Sequence, residues 1–183
     1  VISGVAVALL WQWLFNGRYG LVNYGLEALF GIEGPNWLAD ARTAIWTFVI
    51  IAIWQVGGSM LINLAALQGV PSELYDAANV DGANAFQRFT RVTIPLISPT
   101  TFFLFIIQMI GAFQLFTEAY TMTRGGPAQS TLTVVYYIYQ NAFEFGRMGK
   151  ASAIAWVLFI VIFGATYLQS RMQRRWVHYE AEG

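Results

Sequence analysis

The sequence contains no cysteine and a single histidine, His178, close to its C-terminal end. Disulfides and cysteine-ligated metals are excluded, and a lone histidine in a polar tail reads as a solvated side chain with no role as ligand or base. Charge is scarce as well: 11% of the 183 residues are Asp, Glu, Lys or Arg, against roughly a quarter in a soluble domain. The formal net charge is zero, so nothing points to nucleic acid as a partner. A phosphate-binding loop is also missing, because Gly149-Lys150 lacks both the earlier glycine and the following Ser or Thr. No catalytic residue, metal site or cofactor site is expected in this chain.

What is present is apolar surface, in four stretches without a charge at 1–17, 43–72, 92–117 and 151–170. A helix rising about 1.5 Å per residue needs about 20 apolar residues to cross a hydrocarbon core about 30 Å thick. The last three stretches meet that length and predict spans over 44–67, 96–117 and 151–170. The first begins in mid apolar run, with no initiator Met and no basic flank, and is read as the end of a span, 1–15, whose beginning is missing. It does not read as a signal peptide, since Trp11, Trp13 and Phe15 occupy the place of the small cleavage-site residues. The aromatic run 132–143 is short for a crossing and suits an interfacial or partly buried helix. These features predict one all-α, polytopic transmembrane domain over 1–183, with outer segments at 16–42 and 118–150 and a polar re-entry at 71–95.

Loop charges do not fix the orientation. Arg88, Arg91, Arg171, Arg174 and Arg175 face Arg18, Arg42, Arg124, Arg147 and Lys150 across the membrane, an equal count. The cluster after the last span favours a cytoplasmic tail. Trp11, Trp13, Trp37 and Trp176 lie near span ends, where an interfacial aromatic belt is expected. Trp54 and Trp156 lie within spans and read as packing residues.

The 71–95 segment has its own grammar. Ser72 after Pro71 is a candidate N-cap, and Glu73 suits the positive end of the helix dipole. Leu74, Ala77 and Ala78 fall at i, i+3 and i+4 and make a narrow face of small side chains. Gly82 can take positive φ and stop the helix. Asn84 can cap a second short helix with Phe86, Phe89 and Val92 on one face, and Pro95 is expected to break it before the next span. A helix, a turn and a helix therefore join two spans on one side, with more exposed apolar surface than headgroups alone explain.

That segment resembles a known motif. Glu73-Leu74-Tyr75-Asp76-Ala77-Ala78-Asn79-Val80-Asp81-Gly82, then nine residues, then Val92-Thr93-Ile94-Pro95 is similar to the EAA loop of permeases of ATP-binding-cassette importers, with Asp76 in place of the usual Glu. Further pieces match MalF-like permeases of the carbohydrate-uptake group over nearly the whole chain: Leu14-Phe15-Asn16 with Gly20 and Asn23, Trp37-Leu38-Ala39-Asp40, Thr123-Arg124-Gly125-Gly126-Pro127, and Ala142-Phe143 ahead of Gly149. The resemblance implies a MetI-like permease core in a bacterial or archaeal cytoplasmic membrane. It implies partners too: a second homologous permease, a cytoplasmic ATPase dimer that binds the ATP, an extracytoplasmic solute-binding protein and a sugar. By position, Asp76, Ala77, Ala78, Gly82 and Pro95 belong to the element that docks on the ATPase.

Uncharged polar groups inside spans are costly unless paired, which makes them candidate pathway residues. Gln55, Ser59 and Asn63 lie at i, i+4 and i+8 on one predicted face. Gln108 lies inside the next span, with Gln114 and Glu118 near its outer end. Amides and hydroxyls offer both donors and acceptors to a sugar, and the resemblance places Gln55, Ser59 and Gln108 near sugar-lining positions. The competing reading is that these groups hydrogen-bond one helix to another, and Glu118 reads equally as a loop carboxylate. Glycerol phosphate or another polyol derivative is the alternative substrate class, although no span carries the basic residue that a phosphate favours. A channel subunit or a membrane anchor that transports nothing is the alternative from another class.

Overall fold

The structure is a computed structural model that describes residues 3–176, with side chains described as far as Gln173. His178 and the side chains of Arg174, Arg175 and Trp176 lie outside the described residues. Nine α-helices are described: α1 Gly4–Leu14, α2 Leu21–Phe30, α3 Ala44–Trp54, α4 Gly57–Gln68, α5 Ser72–Val80, α6 Ala85–Arg88, α7 Ile94–Phe113, α8 Val134–Tyr139 and α9 Met148–Trp176. Three π-turns join them in places, at Phe89–Thr93, Ala119–Thr123 and Gln140–Glu144. No strand occurs among the described residues, so the all-helical expectation holds.

Three helical stretches are long and apolar enough to cross a membrane: Ala44–Gln68, which has a turn at 55–56, Ala85–Phe113 and Met148–Gln173. Helix α1 is apolar but shorter. The middle stretch differs from its sequence reading at both ends. Pro95 does not break the chain, because the helix runs unbroken from Ala85 through the π-turn into α7 and contains Pro99 as well. A proline ring clashes with the carbonyl four residues back and donates no hydrogen bond. The widened turn at 89–93 stands directly ahead of Pro95, where it relaxes that ladder. At the other end α7 stops at Phe113, short of 117.

The chain divides into two compact units. The first comprises the described residues up to Gln55 together with Ala112–Ile160. Its core is Ala8, Phe15, Phe48, Ile51, Ala119, Met122 and Tyr136. Around that core the loops satisfy their own polar groups. Asn16 Oδ1 accepts from the backbone amides of Arg18 (2.9 Å) and Tyr19 (3.3 Å). Asn23 is a hub: its amide donates to the carbonyls of Gly17 (3.1 Å) and Pro35 (3.2 Å), and its oxygen accepts from Trp37 Nε1 at 2.6 Å. Gly20 is required by space, since a Cβ there would stand 2.4 Å from the carbonyl oxygens of Leu14 and Asn16. In the later segment the Thr123 and Thr131 hydroxyls meet at 2.7 Å and Thr131 donates to the Gly126 carbonyl at 2.7 Å.

A cluster of rings closes this unit. Phe116 packs on Tyr120 and Tyr139, both at 5.4 Å between centroids, and Tyr120 meets Tyr136 edge-on at 5.8 Å. Burial pushes the Tyr136 phenol above its ordinary value, and a hydrogen bond with Tyr120 does the same for Tyr139. The run 132–143 is thus a short helix and a π-turn packed by aromatic rings, in keeping with its length.

The second unit comprises Val56–Gly111 and the described part of α9 from Val161 onward. Only Thr93 and Leu104 are buried among its described residues.

Candidate functional site

The re-entrant loop lies wholly in the second unit. Helix α5 opens one residue earlier than its expected cap allows. Pro71 occupies the cap position with φ −59° and ψ 131°, Ser72 is already helical, and no side chain caps the N-terminus. The proline ring fixes φ at a value compatible with entry into a helix, so the turn is set by backbone geometry. Glu73 stands in the first turn, as its charge favours. At the far end Gly82 has φ 76°, Ala83 N donates to the Ala78 carbonyl at 2.9 Å and Gly82 N to the Asn79 carbonyl at 3.0 Å. That pair of bonds is a Schellman stop, which uses the left-handed conformation glycine adopts without strain.

The second helix begins on a complete capping box. Asn84 Oδ1 accepts from Gln87 N and Gln87 Oε1 accepts from Asn84 N, both at 2.9 Å. Two side-chain rungs then tie the helices together: Tyr75 and Thr93 share a hydroxyl bond of 2.8 Å, and Arg88 Nη1 donates to Asn79 Oδ1 at 2.6 Å. Asp76 and Ala77 are exposed and Ala78 is half-buried. Val80 is 89% exposed, Phe86 74% and Phe89 52%, whereas Val92, one helical turn on, is half-buried. Two large aromatic side chains and a valine thus project from a polar loop with nothing among the described residues to cover them.

The second candidate group forms a polar seam between α4 and α7. Gln108 Nε2 donates to Ser59 Oγ at 2.8 Å, Thr101 Oγ1 donates to Asn63 Oδ1 at 3.0 Å, and Asn63 Nδ2 returns to the Ser59 carbonyl at 3.2 Å. Two predicted pathway residues, Ser59 and Gln108, are therefore brought together, with Asn63 one turn away. Gln108 is exposed and Ser59 half-buried, so the seam lies open. Gln55 does not join it. It caps α3 at a turn where the 44–68 stretch passes into α4, and its side chain is exposed. Gln114 stands just past the end of α7, and Glu118 caps the Ala119–Thr123 π-turn. Thr101 was missed, although its spacing of seven residues from Gln108 places both on one helical face.

Between α7 and α9 the second unit also has a groove of about 610 Å³, walled mainly by Ile94, Ile97, Phe102, Phe105 and Met172.

Residues 1–178 match the family described as the inner membrane component of binding-protein-dependent transport systems. The chain belongs to this family. With three helices of membrane-crossing length, it is a multi-pass membrane member of it. Among curated relatives, it is 41% identical over its whole length to the probable ABC transporter permease protein YesP of Bacillus subtilis, covering 60% of that protein. It is 39% identical over 91% of its length to the sulfoquinovosyl glycerol transport system permease protein SmoG of Agrobacterium fabrum, covering 54% of it. It is also 34% identical over 98% of its length to the sn-glycerol-3-phosphate transport system permease protein UgpA of Pectobacterium atrosepticum, covering 61%. Among solved structures, a bacterial ABC transporter involved in import of the acidic polysaccharide alginate matches with TM-score 0.82 at 27% identity, over 95% of this chain and 61% of that one. The chain thus spans about three-fifths of the length of these relatives.

Proposed function

We propose that the chain is a permease subunit of an ATP-driven importer, pairing with a second homologous permease to form a pathway for a sugar across a bacterial or archaeal cytoplasmic membrane. The observation that carries this reading is the segment between α4 and α7: a Schellman stop and a capping box join short α5 to the foot of the long Ala85–Phe113 helix, with Val80, Phe86 and Phe89 exposed. A cytoplasmic ATPase dimer, which binds and hydrolyses the ATP, receives this element. Ala77 and Ala78 permit close approach, Asp76 offers a carboxylate to a donor on the ATPase, and Gly82 sets the angle between the helices. Pro95, inside the first turn of α7, belongs to the base of the element. Closure of the ATPase pair moves its grooves, and the loop passes that motion to the spans, so that access alternates between the two sides.

On this reading a solute-binding protein delivers the sugar from outside, and the seam of Ser59, Asn63, Thr101 and Gln108 lines part of the path. Hydroxyls and amides at the end of a hydrogen-bonded row can exchange partners with sugar hydroxyls at little cost. Gln55 and Gln114, in the first unit, are proposed as further pathway residues. The test is reconstitution with the cognate ATPase and a panel of solute-binding proteins. Stimulation of ATP hydrolysis by one sugar-loaded binding protein supports the reading, and no stimulation by any of them rejects it.

A second reading is favoured by the relatives themselves. SmoG and UgpA are named for sulfoquinovosyl glycerol and sn-glycerol-3-phosphate, both anionic glycerol derivatives. No Lys or Arg lies in the interior of the seam of this chain, so a cation for such a substrate must come from the partner permease. Stimulation by a binding protein loaded with a glycerol phosphate ester, and by no neutral sugar, decides for this reading.

A further inference from the structure

We propose that Tyr75 and Thr93, backed by Asn79 and Arg88, lock α5 to the foot of the Ala85–Phe113 helix so that the two move as one rigid lever. The proposal rests on the importer reading above and names the residues that carry its motion.

A threonine hydroxyl in a helix is commonly satisfied by the carbonyl one turn back. Thr90 does this, donating to the Phe86 carbonyl at 2.9 Å. Thr93 is 7% exposed and instead uses the Tyr75 hydroxyl, 18 residues away in sequence. The second rung, Arg88 to Asn79, is the shorter of the two at 2.6 Å.

Both rungs face the same way for a geometric reason. On α5, Tyr75 and Asn79 are four residues apart and share a face. On the facing helix, Arg88 and Thr93 are five apart, which in an α-helix turns the second away by about 140°. The Phe89–Thr93 π-turn takes up one extra residue and brings the offset back to about 40°. The π-turn thus sets both partners against α5, with Asp76, Ala77 and Ala78 lying between the two rungs in sequence. Force applied to those three residues enters the long helix at two points. That helix continues without interruption to Thr101 and Gln108.

The test uses the absence of cysteine in this chain. Spin labels are placed on Glu73→Cys in α5, outside the proposed docking residues, and Phe103→Cys in α7, both exposed. The full chain is assembled with its partner permease and an ATPase dimer whose cysteines have been replaced. The label distance is read by electron paramagnetic resonance without nucleotide and after trapping with ATP and vanadate. The expected result is a single distance common to both states. In the Tyr75→Phe/Thr93→Val double variant a second distance is expected in the trapped state alone.

A parent distance that shifts with nucleotide overturns the proposal, because it makes the joint a hinge. So does a double variant that keeps the parent distance in both states, or one that broadens equally in both, as a static brace would. Co-purification separates this failure from failure of the importer reading. If the parent chain retains the ATPase and Gly82→Asp loses it, that reading stands whatever the labels report. If the parent never binds an ATPase, both fall.

Discussion

The two units differ in how much they bury. In the first, buried polar side chains such as Thr131 and Asn141 bond to neighbours in the same unit, and an Asn23–Trp37 contact clamps the loop after α2. In the second, Thr93 and Leu104 are its only buried residues among those described, the seam lies open, and Phe86 and Phe89 project from the loop. The first unit has a buried core of its own, although large side chains such as Leu29, Phe30, Ile53 and Phe143 stand exposed on it as well. The second has almost no core, and its exposed loop is the surface proposed to meet another subunit. Motif residues therefore differ by location: Asn16, Gly20, Asn23 and Trp37 are held in a bonded and packed loop system, whereas the 72–95 loop is exposed and is proposed to serve contact.

The comparison breaks most sharply at Phe15 and Phe86. Phe15 is 1% exposed, stacks on Trp11 at 5.3 Å and meets Trp37 at a tilt at 5.5 Å. Phe15→Ala is expected to cost about 3–5 kcal/mol of stability, read as a large drop in melting temperature in detergent, while Phe86→Ala leaves the melt unchanged and weakens ATPase binding. Equal melting shifts would erase the distinction between the units. A smaller stability effect is expected at Gly82, where φ 76° disfavours any side chain by about 1–2 kcal/mol. Gly82→Asp and Ala78→Glu are nonetheless expected to abolish uptake while the chain still inserts in the membrane. Normal transport by either variant removes the loop from the coupling role.

How much of this was readable beforehand follows from the range of each interaction. Span positions depend on length and missing charge, and the caps at Gly82 and Asn84 depend on neighbours within a few residues, so both are legible along the chain. The continuity through Pro95 was not, because it depends on a π-turn that no composition signal marks. Nor was the exclusion of Gln55 from the seam: its spacing of four from Ser59 assumes an unbroken helix, and a turn intervenes at 55–56. The Gln108–Ser59 bond joins residues 49 apart, and the Tyr75–Thr93 rung needs a hairpin of helices to exist first. Asn23 stood in the sequence as part of a motif, but its hub role requires Gly17, Pro35 and Trp37 to converge.

The seam allows a finer comparison. An interhelical hydrogen bond within a membrane is worth about 0.6 kcal/mol on average, so Gln108→Ala and Ser59→Ala are each expected to shift the melt only slightly, with a coupling of that size in a double-mutant cycle. A pathway role adds a separate effect: Gln108→Ala lowers ATP hydrolysis stimulated by the loaded binding protein. Unchanged stimulation across a panel of sugars, with the coupling energy intact, reduces the seam to a helix clamp like those of the first unit.

The smallest expected effect lies at the edge of the first unit. Lys150 Nζ donates to the Tyr137 hydroxyl at 2.6 Å and lies 4.9 Å from its ring centroid. That hydrogen bond, with help from Asn141 and the lysine charge, holds the Tyr137 phenol below its ordinary value, whereas Tyr136 and Tyr139 on the same helix are pushed above it. Tyr137 is thus expected to ionise first of the three as pH rises. Lys150→Met removes the leading cause, so tyrosinate absorbance is expected to appear at higher pH than in the parent. Because the folded value is depressed, any stabilisation from the ionised pair exists at alkaline pH and is lost as pH falls through that value, leaving melting at neutral pH insensitive to this ionisation. An unmoved titration in Lys150→Met would mean that the lysine does not set the Tyr137 value.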